Sequence, residues 1–299
     1  MTALIDADVI VYRSIFPATT KVVWEPGDEE MEMNNWPAAK EIALDLVDQW
    51  TKAAKKKRAL LVFSDRTKEM ASFRHLIHPH YKKNRVGEKP PMHNDLHDWL
   101  SEQFKSTYIK DLEGDDTMGL MATNDPKYTM VSIDKDMLTV PARLVNPDWK
   151  DPTPRKIGLR EADYNWMYQT ICGDTVDNFK GAPGAGPKRA AEALSGPTNV
   201  GALFTAAEQV FWDQSTKKSA VKMVHRGDDL DDQGVPYVTH PLEEFLMNAR
   251  CARILRTGDY RQDEHKVKLW HPQKTKETWI NPYVEVPKLE EVSDDEEGT

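Results

Sequence analysis

Three carboxylates crowd into four positions of the chain, and an apolar run at helical spacing follows them. Glu113, Asp115 and Asp116 are these acids, and in a helix Glu113 and Asp116 share one face. Acidic residues also favour a helix N-terminus, where the helix macrodipole stabilises them, and this ordinary role accounts for one or two of the three. The density of negative charge indicates a site for a divalent cation instead.

Three short hydrophobic segments each end in an aspartate: 2–5 in Asp6, 59–63 in Asp65 and 128–133 in Asp134. We interpret them as buried strands. Segments with helical spacing separate them, so we predict parallel strands in an α/β sheet. The carboxyl ends of parallel strands lie on one edge of the sheet, where open α/β sheets place their active sites. We therefore expect these aspartates to meet beside the helix that begins near Glu113.

Two further acids follow a predicted helix that starts at Arg160. The full set of candidate metal ligands is Asp6, Asp65, Glu113, Asp115, Asp116, Asp134, Asp136, Asp174 and Asp177, with Asp8 as a tenth candidate. Like charges at this density repel one another unless cations lie among them. Oxygen-only ligands indicate Mg²⁺ or Mn²⁺, and so many acids suit two ions. Two ions about 4 Å apart activate a water and stabilise the leaving oxygen of a phosphodiester.

Other kinds of site fit the sequence less well. The histidines between His75 and His80 have a spacing that suits zinc, but no cysteine accompanies them. Calcium storage is the alternative for the acids, but no stretch has the spacing of an EF-hand loop. No Ser-His-Asp or Cys-His arrangement and no Walker loop competes.

Two segments suggest binding to nucleic acid. Cations interleave with aromatic rings between Phe73 and Arg85, which suits single-stranded or frayed nucleic acid. The glycines from Gly181 to Gly186 precede Pro187, Lys188 and Arg189, so free backbone amides at a helix start would form an anion site. The ordinary alternative is a Gly-Pro turn that caps a helix. A third basic run, 55–58, follows the predicted helix 37–54 and is more typical of a solvated helix cap.

The composition is that expected of a soluble globular protein, with 39% hydrophobic residues and a mean hydropathy of −0.67. No run approaches the length of a membrane span, no secretory segment opens the chain, and two distant cysteines favour a reducing compartment. The net charge of −9 includes six acids between positions 290 and 297. An acidic chain of this kind can still present a basic face.

These motifs, in this order, resemble the 5′-nuclease (flap endonuclease-like) superfamily, most closely the 5′→3′ exonucleases of short-tailed bacteriophages. The matching segments are 4–8, 64–65, 81–85, 113–116, 134–136, 173–177, 184–189, 252–256 and 269–270. The resemblance implies a mostly parallel PIN-like α/β sheet flanked by helices, with a helix–three-turn–helix DNA-binding module. It implies a nuclease core over 1–179 and a DNA-binding region with C-terminal elements over 180–287. The resemblance does not extend to the acidic tail over 288–299, which we expect to be disordered because of its charge.

The resemblance also assigns roles to residues. The first metal site is matched by Asp6, Asp65, Glu113, Asp115 and Asp116, and the second by Asp134, Asp136, Asp174 and Asp177. The residues matching the basic ones near the scissile phosphate are Arg74, Lys82 and Arg85, with Tyr81 as a stacking neighbour. The DNA-binding positions are Lys83, Gly184, Gly186, Lys188 and Arg189, and such turns often bind K⁺.

We therefore expect a monomeric Mg²⁺-dependent 5′→3′ exonuclease that acts on double-stranded DNA from 5′ ends or nicks, and also on RNA–DNA hybrids. It would serve phage DNA replication and host DNA degradation in the host cytoplasm, with no membrane partner. A short segment broken by Pro90 and Pro91 argues against a long helical arch for threading flaps. The alternatives are a structure-specific flap endonuclease and, in another class, a catalytically inactive DNA-binding scaffold.

Overall fold

The computed structural model describes residues 2–22, 31–66, 72–85, 87–215 and 240–281. Its strands are β1 (Ala3–Asp6), β2 (Thr19–Val22), β3 (Met31–Asn34), β4 (Ala59–Val62), β5 (Ser106–Thr107), β6 (Thr129–Val131), β7 (Arg143–Val145), β8 (Arg155–Lys156), β9 (Tyr260–Arg261), β10 (Lys266–Leu269) and β11 (Thr278–Ile280). Its helices are α1 (Ala7–Ala18), α2 (Trp36–Ala53), α3 (Phe73–Ile77), α4 (His93–Gln103), α5 (Gly114–Asn124), α6 (Leu159–Cys172), α7 (Pro187–Ser195), α8 (Val200–Ser215) and α9 (Pro241–Cys251). Short 3-10 helices span Lys135–Thr139 and Lys274–Lys276.

A six-stranded sheet with the order β5-β4-β1-β6-β7-β8 forms the centre of the fold. Strands β5, β4, β1, β6 and β7 are parallel, and β8 pairs with β7 in the antiparallel direction. The predicted α/β class with a mostly parallel sheet is therefore confirmed. In the register of the sheet, Asp6 lies opposite Val62 and Ile5 lies opposite Val131.

Both faces of this sheet are buried, as the uninterrupted hydrophobic strands predict. Ile5, Leu61 and Val131 face a cluster that includes residues of α1, α2 and α4. The alternate residues Leu4, Leu60 and Met130 face the opposite side, where α5 and α6 contribute to the core. The two layers of helices thereby hold the strand ends in a fixed position relative to α5.

The C-terminal helices α6–α9 form a second hydrophobic cluster around Trp166, Phe211 and Phe245. The segment 252–256 leads from α9 to the small sheet β9–β11 and packs against α5. A Cβ atom added to Gly119 of α5 would lie 2.4 Å from the backbone oxygen of Leu255, so only glycine allows this approach.

The sequence pattern predicts a helix from Pro241 to Arg256 with its arginines on the polar side, and this prediction is wrong at its end. The helix ends at Cys251. Arg253 then donates to Asp259 at 3.0 Å, and Arg256 donates to Asp163 at 2.7 Å. These two arginines turn inward because carboxylates on other segments pair with them.

No helix among the described residues is long and apolar enough to cross a membrane. The acidic tail over 288–299, most of the polar region 213–241 and the stretch 25–30 lie outside the described residues.

Candidate active site

Asp6 ends β1 on the carboxyl edge of the sheet, and its side chain is 6% exposed. It accepts hydrogen bonds from the Ser132 hydroxyl at 2.7 Å and from the backbone N–H of Val9 at 3.3 Å. Burial and the charge of Asp8 raise the pKa of Asp6 to about 7. Ser132 also accepts a hydrogen bond from the backbone N–H of Asp134 at 3.0 Å, so this hydroxyl joins the ends of β1 and β6.

Asp134 and Asp115 belong to the same electrostatic cluster as Asp6. Burial and the neighbouring Asp136 raise the pKa of Asp134 to about 6. Burial, followed by the charges of Asp6 and Asp134, raises the pKa of Asp115 well above its ordinary value. These acids come from β1, from the start of α5 and from the end of β6. A cluster of mutually repelling carboxylates at the sheet edge is the environment in which a cation binds most favourably.

Glu113 lies beside cations and behaves in the opposite way. The Lys82 ammonium group donates to it at 2.8 Å, and the Arg74 guanidinium lies 3.6 Å away. Burial alone would raise the pKa of Glu113, but the charges of Lys82 and Arg74 outweigh it and lower the pKa to about 2. Glu113 therefore stays ionised and positions Lys82.

Asp174 and Asp177 lie on the loop that follows α6. The Tyr81 hydroxyl donates to Asp177 at 2.8 Å, and Arg85 donates to it at 2.6 Å. Asp174 accepts from Lys135 and from the backbone N–H of Val176, the latter at 2.8 Å. Burial alone would raise the pKa of Asp174, but the hydrogen bond and charge of Lys135 lower it.

Two facing glycines hold this loop closed. Gly173 and Gly181 have φ angles of +73° and +67°, in the left-handed region that favours glycine. A Cβ atom on Gly181 would lie 2.3 Å from the backbone nitrogen of Gly173, so neither position has room for a side chain. Asp174 and Phe179 exchange backbone hydrogen bonds of 2.7 and 3.0 Å across the same loop. This close backbone contact fixes the positions of Asp174 and Asp177 on the loop.

Asp116 and Arg74 form a buried pair below the acid cluster. Arg74 is 1% exposed and Asp116 is 0% exposed. The two guanidinium nitrogens of Arg74 donate to the two oxygens of Asp116 at 2.7 and 2.9 Å, and the backbone N–H of Leu255 donates to Asp116 at 3.0 Å. Arg74 also donates to the carbonyl oxygens of Cys251 and Arg253 at 2.9 and 2.6 Å. Arg74 and Asp116 therefore bind each other and the backbone of residues 251–255.

Asp65 and Asp8 each accept a hydrogen bond from a backbone N–H, and the charge of Asp8 also raises the pKa of Asp6. Asp65 lies three residues beyond Val62, the register partner of Asp6. Its carboxylate accepts from the backbone N–H of Asp111 at 2.7 Å. Asp8 accepts from the backbone N–H of Ser64 at 2.9 Å. Both side chains thereby fix the loops around the cluster.

Two lysines occupy space among the acids. Lys82 contacts Glu113, while Lys135 contacts Asp174 and also donates to Asp136 at 2.9 Å. Within the described ranges, no three histidine, cysteine, aspartate or glutamate side chains have the arrangement that holds one metal ion. The donor atoms of the cluster are carboxylate oxygens, which suit Mg²⁺ or Mn²⁺. Lys135 and Ser132 were not among the predicted site residues, although Lys135 follows Asp134 directly and Ser132 precedes it by two positions. The alternation of Asp134, Lys135 and Asp136 is a visible signal for Lys135.

The helix α7 begins at the predicted anion site. Gly184 has a φ of +66°, Gly186 caps the helix and Pro187 occupies its first turn. Gly184, Gly186, Lys188 and Arg189 line an open cavity of about 680 Å³. Lys188 is exposed, and Arg189 lies 3.9 Å from Asp213 across the cavity. The predicted DNA-binding residue Lys83 is also exposed and lies in the turn that carries Lys82.

Comparison with known proteins relates the whole chain to nucleases. The chain is 27% identical over 294 residues to the exodeoxyribonuclease of Enterobacteria phage T3, and the match covers 90% of this chain and 92% of the phage protein. The chain is similar to phage exonucleases over most of its length. The resemblance predicted from the motifs is therefore confirmed, and with it the prediction of a nuclease enzyme.

Two further proteins are similar to this chain. The flap endonuclease Xni of Shewanella pealeana is 26% identical over 174 residues, covering 52% of this chain and 66% of Xni. A solved structure of the T5 D15 protein, co-crystallised with metal ions, aligns with a TM-score of 0.47 and 15% identity over 84% of this chain and 85% of that one. No model of a protein family matches the chain.

Proposed function

We propose that this phage-type 5′ nuclease is a Mg²⁺- or Mn²⁺-dependent 5′→3′ exonuclease that hydrolyses double-stranded DNA from 5′ ends or nicks. One observation carries this proposal: Asp6, Asp115 and Asp134 come from separate segments and repel one another at the carboxyl edge of the sheet. The relationship to a phage exodeoxyribonuclease supports the same reaction.

The acids that would hold two metal ions are Asp6, Asp115, Asp134, Asp136, Asp174 and Asp177, with Glu113 beside them. Bound ions would supply an activated water and stabilise the charge that develops on the leaving oxygen. Asp116 has no part in this set, because Arg74 and the backbone of Leu255 occupy both of its oxygens. Asp65 and Asp8 support the site through the loops that they fix.

Basic residues beside the acids would bind the scissile phosphate. Lys82 is held by Glu113, and Arg85 is held by Asp177, so both cations stand next to the acid cluster. The hydroxyl of Tyr81 donates a hydrogen bond to Asp177, and the Tyr81 side chain is 1% exposed. Tyr81 therefore acts as a positioning residue, and Arg74 acts in the same way through Asp116.

The start of α7 would hold the duplex by its phosphates. The N-terminus of α7, which begins at Pro187, and the exposed Lys188 offer contacts that carry no sequence information. A K⁺ ion at this turn belongs to the proposal as well. Binding should weaken steeply as the salt concentration rises.

A structure-specific flap endonuclease is the second candidate, because Xni carries that name. The described residues between Arg85 and the start of α4 at His93 form turns and no helix. A helical arch that threads a single-stranded flap is therefore not built there, which favours attack at duplex 5′ ends.

Digestion of a 5′-labelled duplex with Mg²⁺, with the products resolved by length, tests the proposal. We expect short 5′ products that disappear with EDTA and in Asp134→Asn. A duplex with a 5′ flap, free or blocked at its tip, separates the two enzymes: a threading endonuclease loses activity on the blocked flap. An RNA–DNA hybrid in the same assay tests the further substrate. No cleavage of any substrate in Mg²⁺ or Mn²⁺ would leave the scaffold alternative.

A further inference from the structure

The edge of the six-stranded sheet opposite the acids carries exposed basic side chains at five of its six strands, the exception being β1. We call this set the amino-edge row: Lys105 before β5, Lys57 and Arg58 before β4, Lys127 before β6, Arg143 at the start of β7 and Lys156 at the end of β8. Strand β8 contributes because it runs antiparallel, which places Lys156 directly opposite Arg143.

These six cations lack carboxylate partners in the part of the chain that the structure describes. By contrast, the adjacent Arg155 pairs with Glu161 at 2.8 Å. Asp125, two residues before Lys127, accepts the backbone N–H of Lys127 at 2.9 Å and forms no ion pair with a lysine among the described residues. Like charges directly opposite each other in a sheet are destabilising, so the Arg143 and Lys156 pair costs folding energy.

The width of the row suits a polyanion. Neighbouring strands lie about 4.8 Å apart, so the five intervals from β5 to β8 span roughly 24 Å. A nucleic-acid strand presents one phosphate per nucleotide along its length, and several of them would face cations over this distance. The row consists of lysines and arginines with no aromatic residue among them, so it would contact the backbone and leave the bases unread.

We propose that the amino-edge row binds the phosphate backbone of single-stranded DNA that continues from the duplex held at the acid cluster. The central strands are three or four residues long, which places the row roughly 10–13 Å from the acid edge. A duplex held at the acids is too stiff to turn around this edge, since its persistence length is about 150 base pairs. A single strand turns easily, and 5′→3′ digestion of a duplex leaves one. The source of this strand rests on the proposed function.

The ordinary explanations cover only parts of the row. Charged residues protect edge strands from pairing with other chains, which accounts for Lys156 on β8. Cations also favour a helix C-terminus, which suits the residues after α2. The second explanation also reaches Lys127, which follows the end of α5 at Asn124. Neither explanation accounts for Arg143, because β7 lies inside the sheet and follows a 3-10 helix and a loop rather than an α-helix.

The test compares a blunt duplex with the same duplex carrying a 3′ single-stranded overhang, by fluorescence anisotropy without divalent ions. The row variant is K57Q/K127Q/R143Q, and the control variant K150Q/K274Q/K276Q removes the same charge from other exposed positions. The overhang should raise the affinity of the wild-type protein and of the control. Neutralising three contacts should remove that gain, on the order of 10- to 100-fold near 0.1 M salt, and lower the salt slope by about 2.

Binding to the blunt duplex should be nearly equal in all three proteins, and equal thermal melting shows that the variants are folded. The proposal is overturned if the 3′ overhang still raises the affinity of the row variant, or if the control variant loses this increase in affinity to the same extent. Cleavage is assayed separately with Mg²⁺. Absent cleavage combined with an intact overhang gain would refute the proposed function and leave the single-strand site standing.

Discussion

Asp115 and Asp116 are adjacent in the chain, and we expect their replacement by asparagine to have opposite effects on stability. Asp116→Asn keeps the shape of the side chain but leaves the guanidinium of Arg74 without its counter-charge. Arg74 is 1% exposed, so water does not compensate the loss. The two carbonyl oxygens that Arg74 also contacts are neutral and replace only part of the attraction.

Removing one partner of a buried ion pair costs about 3–5 kcal/mol. Native proteins are stable by about 5–15 kcal/mol, so Asp116→Asn should remove about a fifth of the stability or more. We expect the melting temperature to fall by on the order of 10 °C. Urea unfolding and thermal melting, both in EDTA and in Mg²⁺, measure the change.

Asp115→Asn is the matched control. Burial and the charges of Asp6 and Asp134 raise the pKa of Asp115, so neutralising it relieves repulsion. In EDTA this variant should be at least as stable as the wild type, whereas in Mg²⁺ it should lose both cleavage and the stabilisation that the metal provides. If Asp116→Asn instead melts like the wild type in EDTA and loses Mg²⁺ stabilisation as Asp115→Asn does, then Asp116 is a metal ligand and the buried-pair interpretation is wrong.

Three further predictions concern the acid cluster and its cations. Asp134→Asn and Asp174→Asn should each abolish cleavage while DNA binding persists in an anisotropy assay, and wild-type turnover in either variant would remove that residue from the metal site. Lys82→Ala should slow single-turnover cleavage far more than it weakens binding, and the reverse ranking would make Lys82 a DNA-positioning residue. Because the folded-state pKa values of Asp6 and Asp134 are raised to about 7 and about 6, the metal-free protein should lose stability as the pH rises from about 4 to about 7. Mg²⁺ should therefore raise the melting temperature more at pH 8 than at pH 5, and an equal increase at both pH values would contradict the repulsion.

The strands and their acidic ends were predictable because local patterns determine them. The residues from Ala3 to Ile5 and from Ala59 to Phe63 are apolar without interruption, which indicates strands buried on both faces. Because the strands are parallel, Asp6 and Asp134 were expected on one edge of the sheet. The hydroxyl of Ser132, which lies between them, was not predictable from this pattern.

The direction of Asp116 was not predictable from its neighbours. In a helix, Asp115 and Asp116 point about 100° apart, and either could have faced the cluster. The outcome depends on Arg74, 42 residues earlier, and on the N–H of Leu255, 139 residues later. The same kind of distant contact turned Arg253 inward, although the helical pattern predicted a polar surface for it.

Residues 251–255, at the end of α9 and the start of the segment that leads to the small C-terminal sheet, limit how this nuclease can be divided into fragments. A polypeptide cut after residue 179 would retain every candidate metal ligand, yet it would lack the carbonyl groups of Cys251 and Arg253 that receive Arg74. It would also bare the groove at Gly119 that the backbone of Leu255 fills. The N-terminal half therefore does not form an independent catalytic domain. Gene fusions or recombination events that preserve activity must transfer residues 251–255 together with it.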